Sequence, residues 1–177
     1  MLPLRRETDA AAALARRGLL ARLLRDSTAA AAVEFAIIGS MFLLLVCMMI
    51  EVDLIMFTQS VLDNATRDAG RLIQTGQVQS AGGAATPFTN QLCNDVGTLI
   101  PCGSLQYNVQ SAASFSALTT TVASTNGTMT GTGFSPGTSG QDVLIQVGYY
   151  RPTIIPWAAK YLYGSRLLIS TVAFQND

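Results

Sequence analysis

Residues 28–57 read TAAAAVEFAIIGSMFLLLVCMMIEVDLIMF, and the reading of this stretch decides the rest. Its centre, Phe35–Ile50, is sixteen residues without a charge. At 1.5 Å per residue that covers about 24 Å, short of a hydrocarbon core of about 30 Å. Adding the small and apolar neighbours on both sides makes a membrane span feasible, over about residues 33–56. Both extensions bring in carboxylates: Glu34 on one side, Glu51 and Asp53 on the other. A charge at the bilayer centre costs about 2.5–3.5 kcal/mol on insertion scales, so these three belong near the interfaces. On this reading Glu51 and Asp53 are solvated at the outer boundary, and Cys47 is a small apolar packing residue.

Outward from that run, charge is distributed unevenly. The chain has 177 residues, 12% charged and 49% hydrophobic, with zero formal net charge. Typical domains carry about 25% charged residues, so the balance points to membrane or tightly buried surface rather than disorder. Six arginines (Arg5, Arg6, Arg16, Arg17, Arg22, Arg25) precede the apolar run, and the remainder is mildly acidic. By the positive-inside rule the arginine-rich end stays in the cytoplasm and the remainder is exported. A targeting helix is the other reading of residues 1–27, but Glu7, Asp9 and Asp26 interrupt it. No small-x-small cleavage site follows the run, and Val46 before Cys47 does not suit a lipoprotein site.

Catalysis and metal binding find little support. There is no histidine, which removes the commonest general base and metal ligand. The three cysteines are Cys47 in the run and the pair Cys93 and Cys102, without zinc-site spacing. No cofactor and no metal site is expected, and no basic footprint for nucleic acid is present.

The helix continues past the run. Leu54, Phe57, Val61, Leu62, Ala65, Ala69, Leu72 and Ile73 recur mostly three or four apart, the mark of one apolar stripe on a water-facing helix. Asp63 and Arg67 form an i,i+4 acid–base pair, and Gly76 is the stop. A helix of about 45 residues from Ala30 would be about 68 Å long. The following QVQSAGGAATPFTN reads as a glycine-rich connector. Strands are expected at 105–115, 142–150 and 166–175 from alternation and β-branched content. Val143, Ile145 and Val147 share one face of the second. A Ser/Thr/Gly-rich stretch within the loop 112–140 reads as exposed loop or loose hairpin, and 156–164 as a short helix opening at Pro156. The fold class is therefore α+β: a long N-terminal membrane-spanning helix continuing into a small antiparallel sheet. The domains are a leader (1–29), the long helix (30–76) and an exported β-rich head (77–177).

The stretch AAAAVEFAII resembles the start of type IV pilin-like subunits, and more narrowly the TadE/TadG-like proteins of the tight-adherence (Tad, or Flp) pilus system. In that family an arginine-rich leader ends at a small residue, followed by an apolar stretch with Glu at mature position five and then an aromatic. The resemblance makes Ala29 and Ala30 the cleavage site, although the residue before the cut is usually Gly. It makes Glu34 and Phe35 the assembly contact, with Glu34 neutralising a neighbouring subunit's N-terminal amine. Asn64, Ala65, Arg67 and, shifted by one, Arg71 resemble the family's N-A-x-R-x-x-A-R ending. CNDVGTLIPCGSLQYNVQ is similar to the paired-cysteine segment of some members, and the C-terminal strands also resemble the family's.

What the resemblance implies is a minor pilin or pseudopilin, not an enzyme, that assists assembly or initiation of a Tad pilus used in adherence. The implied location is the bacterial inner membrane, single-pass, with the C-terminal domain in the periplasm. The implied partners are a prepilin peptidase, other pilin-like subunits, the inner-membrane assembly platform and membrane lipid. In that compartment Cys93 and Cys102 are expected to form a disulfide, against the alternative of two free thiols. For Glu34 the alternative is a carboxylate that marks the boundary and snorkels to the headgroups. For the whole chain it is an uncleaved single-pass protein with an exported binding domain.

Overall fold

The computed structural model describes residues 27–152 and 167–177. The arginine-rich segment up to residue 26 and the expected helix at 156–164 lie outside the described residues. Helix α1 runs from Ser27 to Gln74. Its sequence holds no proline and is rich in Ala, Leu, Met and Ile, all compatible with a helix interior. It ends where expected: Gly76 has φ 73°, a left-handed conformation that glycine adopts without strain, and its N–H bonds to the Ile73 carbonyl at 3.0 Å.

The chain divides into two compact units between Ile50 and Glu51. In the first, an apolar helical window of mean hydropathy 2.5 has none of its residues buried. Phe35, Ile38, Met41 and Phe42 are all exposed. A helix so apolar and uncovered needs lipid or protein around it. By length and composition it could cross a membrane.

The second unit, Glu51–Asp177, is the head with the remainder of α1. Here Leu62, Ala65, Ala69 and Ile73 are buried, at spacings of three and four, against a three-stranded antiparallel sheet. Phe57, assigned to the stripe from sequence, is exposed instead. Thr58 and Thr66 lie on the buried face, their hydroxyls satisfied by donating to the carbonyls of Leu54 and Leu62 at 2.7 Å.

The segment after Gly76 is not a connector. It forms α2 (Gln77–Ser80) and α3 (Thr86–Val96). Phe88, Leu92 and Val96 recur every four residues and bury one face of α3 in the core. Pro87 does not oppose this, because it occupies the first turn, where no N–H partner is lost.

The sheet is built from β1 (Leu105–Ala112), β4 (Asp142–Tyr150) and β5 (Leu167–Gln175), in the order β1-β4-β5. All three match expected strands. A two-stranded hairpin, β2 (Ser124–Thr125) and β3 (Thr128–Met129), lies between β1 and β4. Asn126 and Gly127 at its tip both have positive φ, 53° and 80°, as a tight two-residue hairpin turn requires.

β4 is buried on both faces. Val143, Ile145 and Val147 face the helix side, with Val109 opposite Ile145 and Tyr107 opposite Val147. Phe88, Tyr107 and Phe134 form an aromatic cluster there, with centroids 5.6–6.3 Å apart. The other face carries Leu144, Gln146 and Gly148 and is covered by part of the segment between β1 and β4. That segment holds the hairpin and is mostly exposed, in line with the expected exposed loop or loose hairpin. Leu118 and Met129 are buried in it. A side chain at Gly148 would meet Met129 Sδ at 2.5 Å, so glycine makes room for the cover. Gln146 Nε2 donates to the Thr120 carbonyl at 3.0 Å, and Asn108 Nδ2 donates to Gln146 Oε1 at 3.3 Å. The segment thus supplies a backbone carbonyl to a buried amide, while most of its Ser, Thr and Gly residues stay exposed.

Candidate functional site

Two places in the molecule are candidates: the N-terminal turns of α1, and the junction at Glu51. At the first, Ala29, Ala30, Glu34 and Phe35 are consecutive turns of one uninterrupted helix. Ala30 and Glu34 are four apart, hence on the same face and about 6 Å apart along the axis. Glu34 is exposed and makes no ion pair among the described residues, and Phe35 is 79% exposed. Among the described residues this carboxylate and ring have no charged or aromatic partner. They are available to lipid or to a neighbouring chain.

Glu51 differs from the sequence expectation. It is 2% exposed, and Arg151 Nη1 donates to its Oε1 at 2.9 Å. Arg151 directly follows the last residue of β4, so the pair ties the start of the head's helix to the end of the central strand. The signal for this was in the spacing: Glu51 stands seven before Thr58 and eleven before Leu62, in phase with the buried stripe. A carboxylate in an apolar phase needs a counter-charge, and Arg151 supplies it. Asp53 is exposed, as expected. Asp63 accepts from Gln59 Nε2 at 3.0 Å rather than pairing with Arg67, and the same Gln59 nitrogen donates to the Ile169 carbonyl at 3.0 Å.

Cys93 and Cys102 are joined in a disulfide, with Cα atoms 5.3 Å apart. It links α3 to the turn that feeds β1. Cys47 is a free thiol on the uncovered helix. Among the described residues no group of three or more Cys, Asp or Glu comes together in a way that could hold a metal.

Residues 29–71 match the family model of TadE-like proteins. The match takes in Ala29 and Ala30, Glu34 and Phe35, the apolar run, Asn64, Ala65, Arg67 and Arg71. The paired-cysteine segment and the sheet lie beyond it. No curated protein and no solved structure matches the chain.

Proposed function

We propose, with the TadE-like match over 29–71 as the premise, that this chain is a minor pilin or pseudopilin that helps assemble or initiate a Tad-type pilus. The match links the chain to the Tad pilus system and so to other pilus and membrane components. The observation that carries the finer reading is the exposed pair Glu34–Phe35 on an uncovered apolar helix. A carboxylate there is costly in lipid, but not in a bundle where a neighbour's N-terminal amine stands beside it. Cleavage between Ala29 and Ala30 by a prepilin peptidase would create that amine, one helical turn from Glu34. The pair would act as a register device between subunits more than as a net source of stability.

The head would be presented on the periplasmic side of the inner membrane, where its disulfide is stable. The second reading is an uncleaved membrane protein with an exported binding domain, in which Glu34 stays at the headgroups. Deleting the coding region and counting surface pili tests the proposal. Pili should be lost or greatly reduced and restored by the wild-type chain, while unchanged piliation would refute a role in assembly.

A further inference from the structure

The two edges of the three-stranded sheet differ. At the β1 edge, the Val109 N–H donates to the Gly133 carbonyl and the Ser135 N–H donates to the Val109 carbonyl, both at 2.9 Å. The chain around Phe134 thus covers β1 there. These bonds also fix which way the backbone groups of the whole sheet point. In an antiparallel ladder, opposed residues alternate between pairs that exchange hydrogen bonds and pairs that do not. Val109 bonds away from β4, so Ile145 opposite it bonds towards β5 and exchanges hydrogen bonds with Val172. Ile169, Thr171 and Ala173, the alternate residues of β5, therefore turn their N–H and C=O groups outward. Gln59 Nε2 donates to the Ile169 carbonyl from that side, at 3.0 Å.

Beyond Ile169 the β5 edge is open. Thr171 and Ala173 are exposed, and among the described residues nothing bonds to their outward backbone groups. The usual protections of an edge strand are missing as well. LLISTVAFQ holds no charge and no proline, and its register with β4 runs without a bulge. Such an edge is a template for a further strand.

Beside this edge, α1 and Leu168 enclose a groove of about 400 Å³ whose lining includes Gln59, Asp63 and Arg67. Asp63 is engaged by Gln59. Arg67 is exposed and makes no ion pair or hydrogen bond among the described residues. A strand added to β5 directs every second side chain to the α1 side, where a carboxylate meets this guanidinium.

We infer that the open edge of β5 is a strand-addition site for an extended acidic segment of another protein. Main-chain hydrogen bonds to Thr171 and Ala173 hold the segment, and a carboxylate on its groove side pairs with Arg67. The inference rests on the sheet of the head and not on a role in pili.

The test uses the full chain in detergent and a short blocked peptide of alternating threonine and valine with a central glutamate, beside its lysine analogue. In the free chain, amide hydrogen exchange should be fast at Thr171 and Ala173 and slow at Val172. Slow exchange at all three means that the edge is already covered, by this chain or by a second copy, and overturns the site. The glutamate peptide at millimolar concentration should slow Thr171 and Ala173 about tenfold or more, and no slowing overturns strand addition. At low salt it should bind about fivefold or more tighter than the lysine peptide, whereas equal binding overturns the acidic chemistry. Arg67→Gln should remove that preference and keep the slowing, and an unchanged preference takes Arg67 out of the site. Ala173→Pro deletes an outward N–H that has no ladder partner, so the head should stay folded while the peptide loses its effect at Thr171. A folded A173P chain that still binds the peptide overturns the main-chain mode.

Discussion

Arg151 and Glu51, a hundred residues apart in the chain, form an ion pair at 2.9 Å with side chains 13% and 3% exposed. The pair is worth more as a constraint than as an attraction, because desolvation offsets most of the Coulomb gain. Removing one partner is a different matter. Arg151→Met should destabilise the head by about 3–5 kcal/mol, since it removes a cation that faces a buried carboxylate at hydrogen-bond distance. The double change Glu51→Leu/Arg151→Met should recover much of that loss. Denaturant unfolding of the detergent-solubilised chain, followed by circular dichroism, gives both values. A single variant as stable as the wild type would mean that Arg151 is not what compensates the buried Glu51 carboxylate.

Processing is the first test of the N-terminal turns. In cells with a prepilin peptidase, the mature chain should begin at Ala30, reading AAAVEF. N-terminal sequencing of the membrane-extracted protein decides it. A chain that retains residues 1–29 would favour the uncleaved anchor.

Glu34→Ala should leave folding untouched and still reduce pili. The side chain is exposed, and alanine is the best helix former, so protein level and unfolding midpoint should not change. Immunoblotting and electron microscopy of the same cells separate the two effects. Normal piliation in the variant would leave Glu34 as a boundary residue only.

The disulfide closes a loop with a sequence separation of 9. On the chain-entropy account a loop of this length stabilises by roughly 2.5 kcal/mol. Cys93→Ala/Cys102→Ala should therefore unfold at lower denaturant, and the wild type under reducing conditions should behave like the variant. Mass spectrometry with alkylation before reduction should find neither thiol modified. Alkylation at both positions would argue against an oxidising compartment for the head.

Leu92→Ala tests α3, the element that the composition concealed. Leu92 is 1% exposed, and truncating a buried leucine costs about 2–5 kcal/mol. The neighbouring exposed change Asn90→Ala should fall within about 0.5 kcal/mol of wild type. Equal unfolding midpoints for the two variants would contradict the packing of this helix against the core.

Much of this molecule is determined by sequence alone, because the patterns involved are local. The run Phe35–Ile50 dictates an uncovered helix through composition, and Leu62, Ala65, Ala69 and Ile73 dictate its buried face through spacing. Alternation in 142–150 places Val143, Ile145 and Val147 together, and Gly76 ends α1 for a backbone reason. Glu34 with its neighbours is legible as a motif, and the family match spans it. Other features depended on the tertiary structure. α3 was hidden by nearby glycines and Pro87, although its four-residue apolar spacing was present. Part of the Ser/Thr/Gly-rich segment became a cover only because Gln146 and Gly148 on β4 offered a buried amide and a gap for Met129. Glu51 is the clearest case. Its phase was visible, but whether a carboxylate is solvated or buried depends on the free energy of pairing, and its partner arrives only when β4 packs beside the helix and brings Arg151 within 2.9 Å.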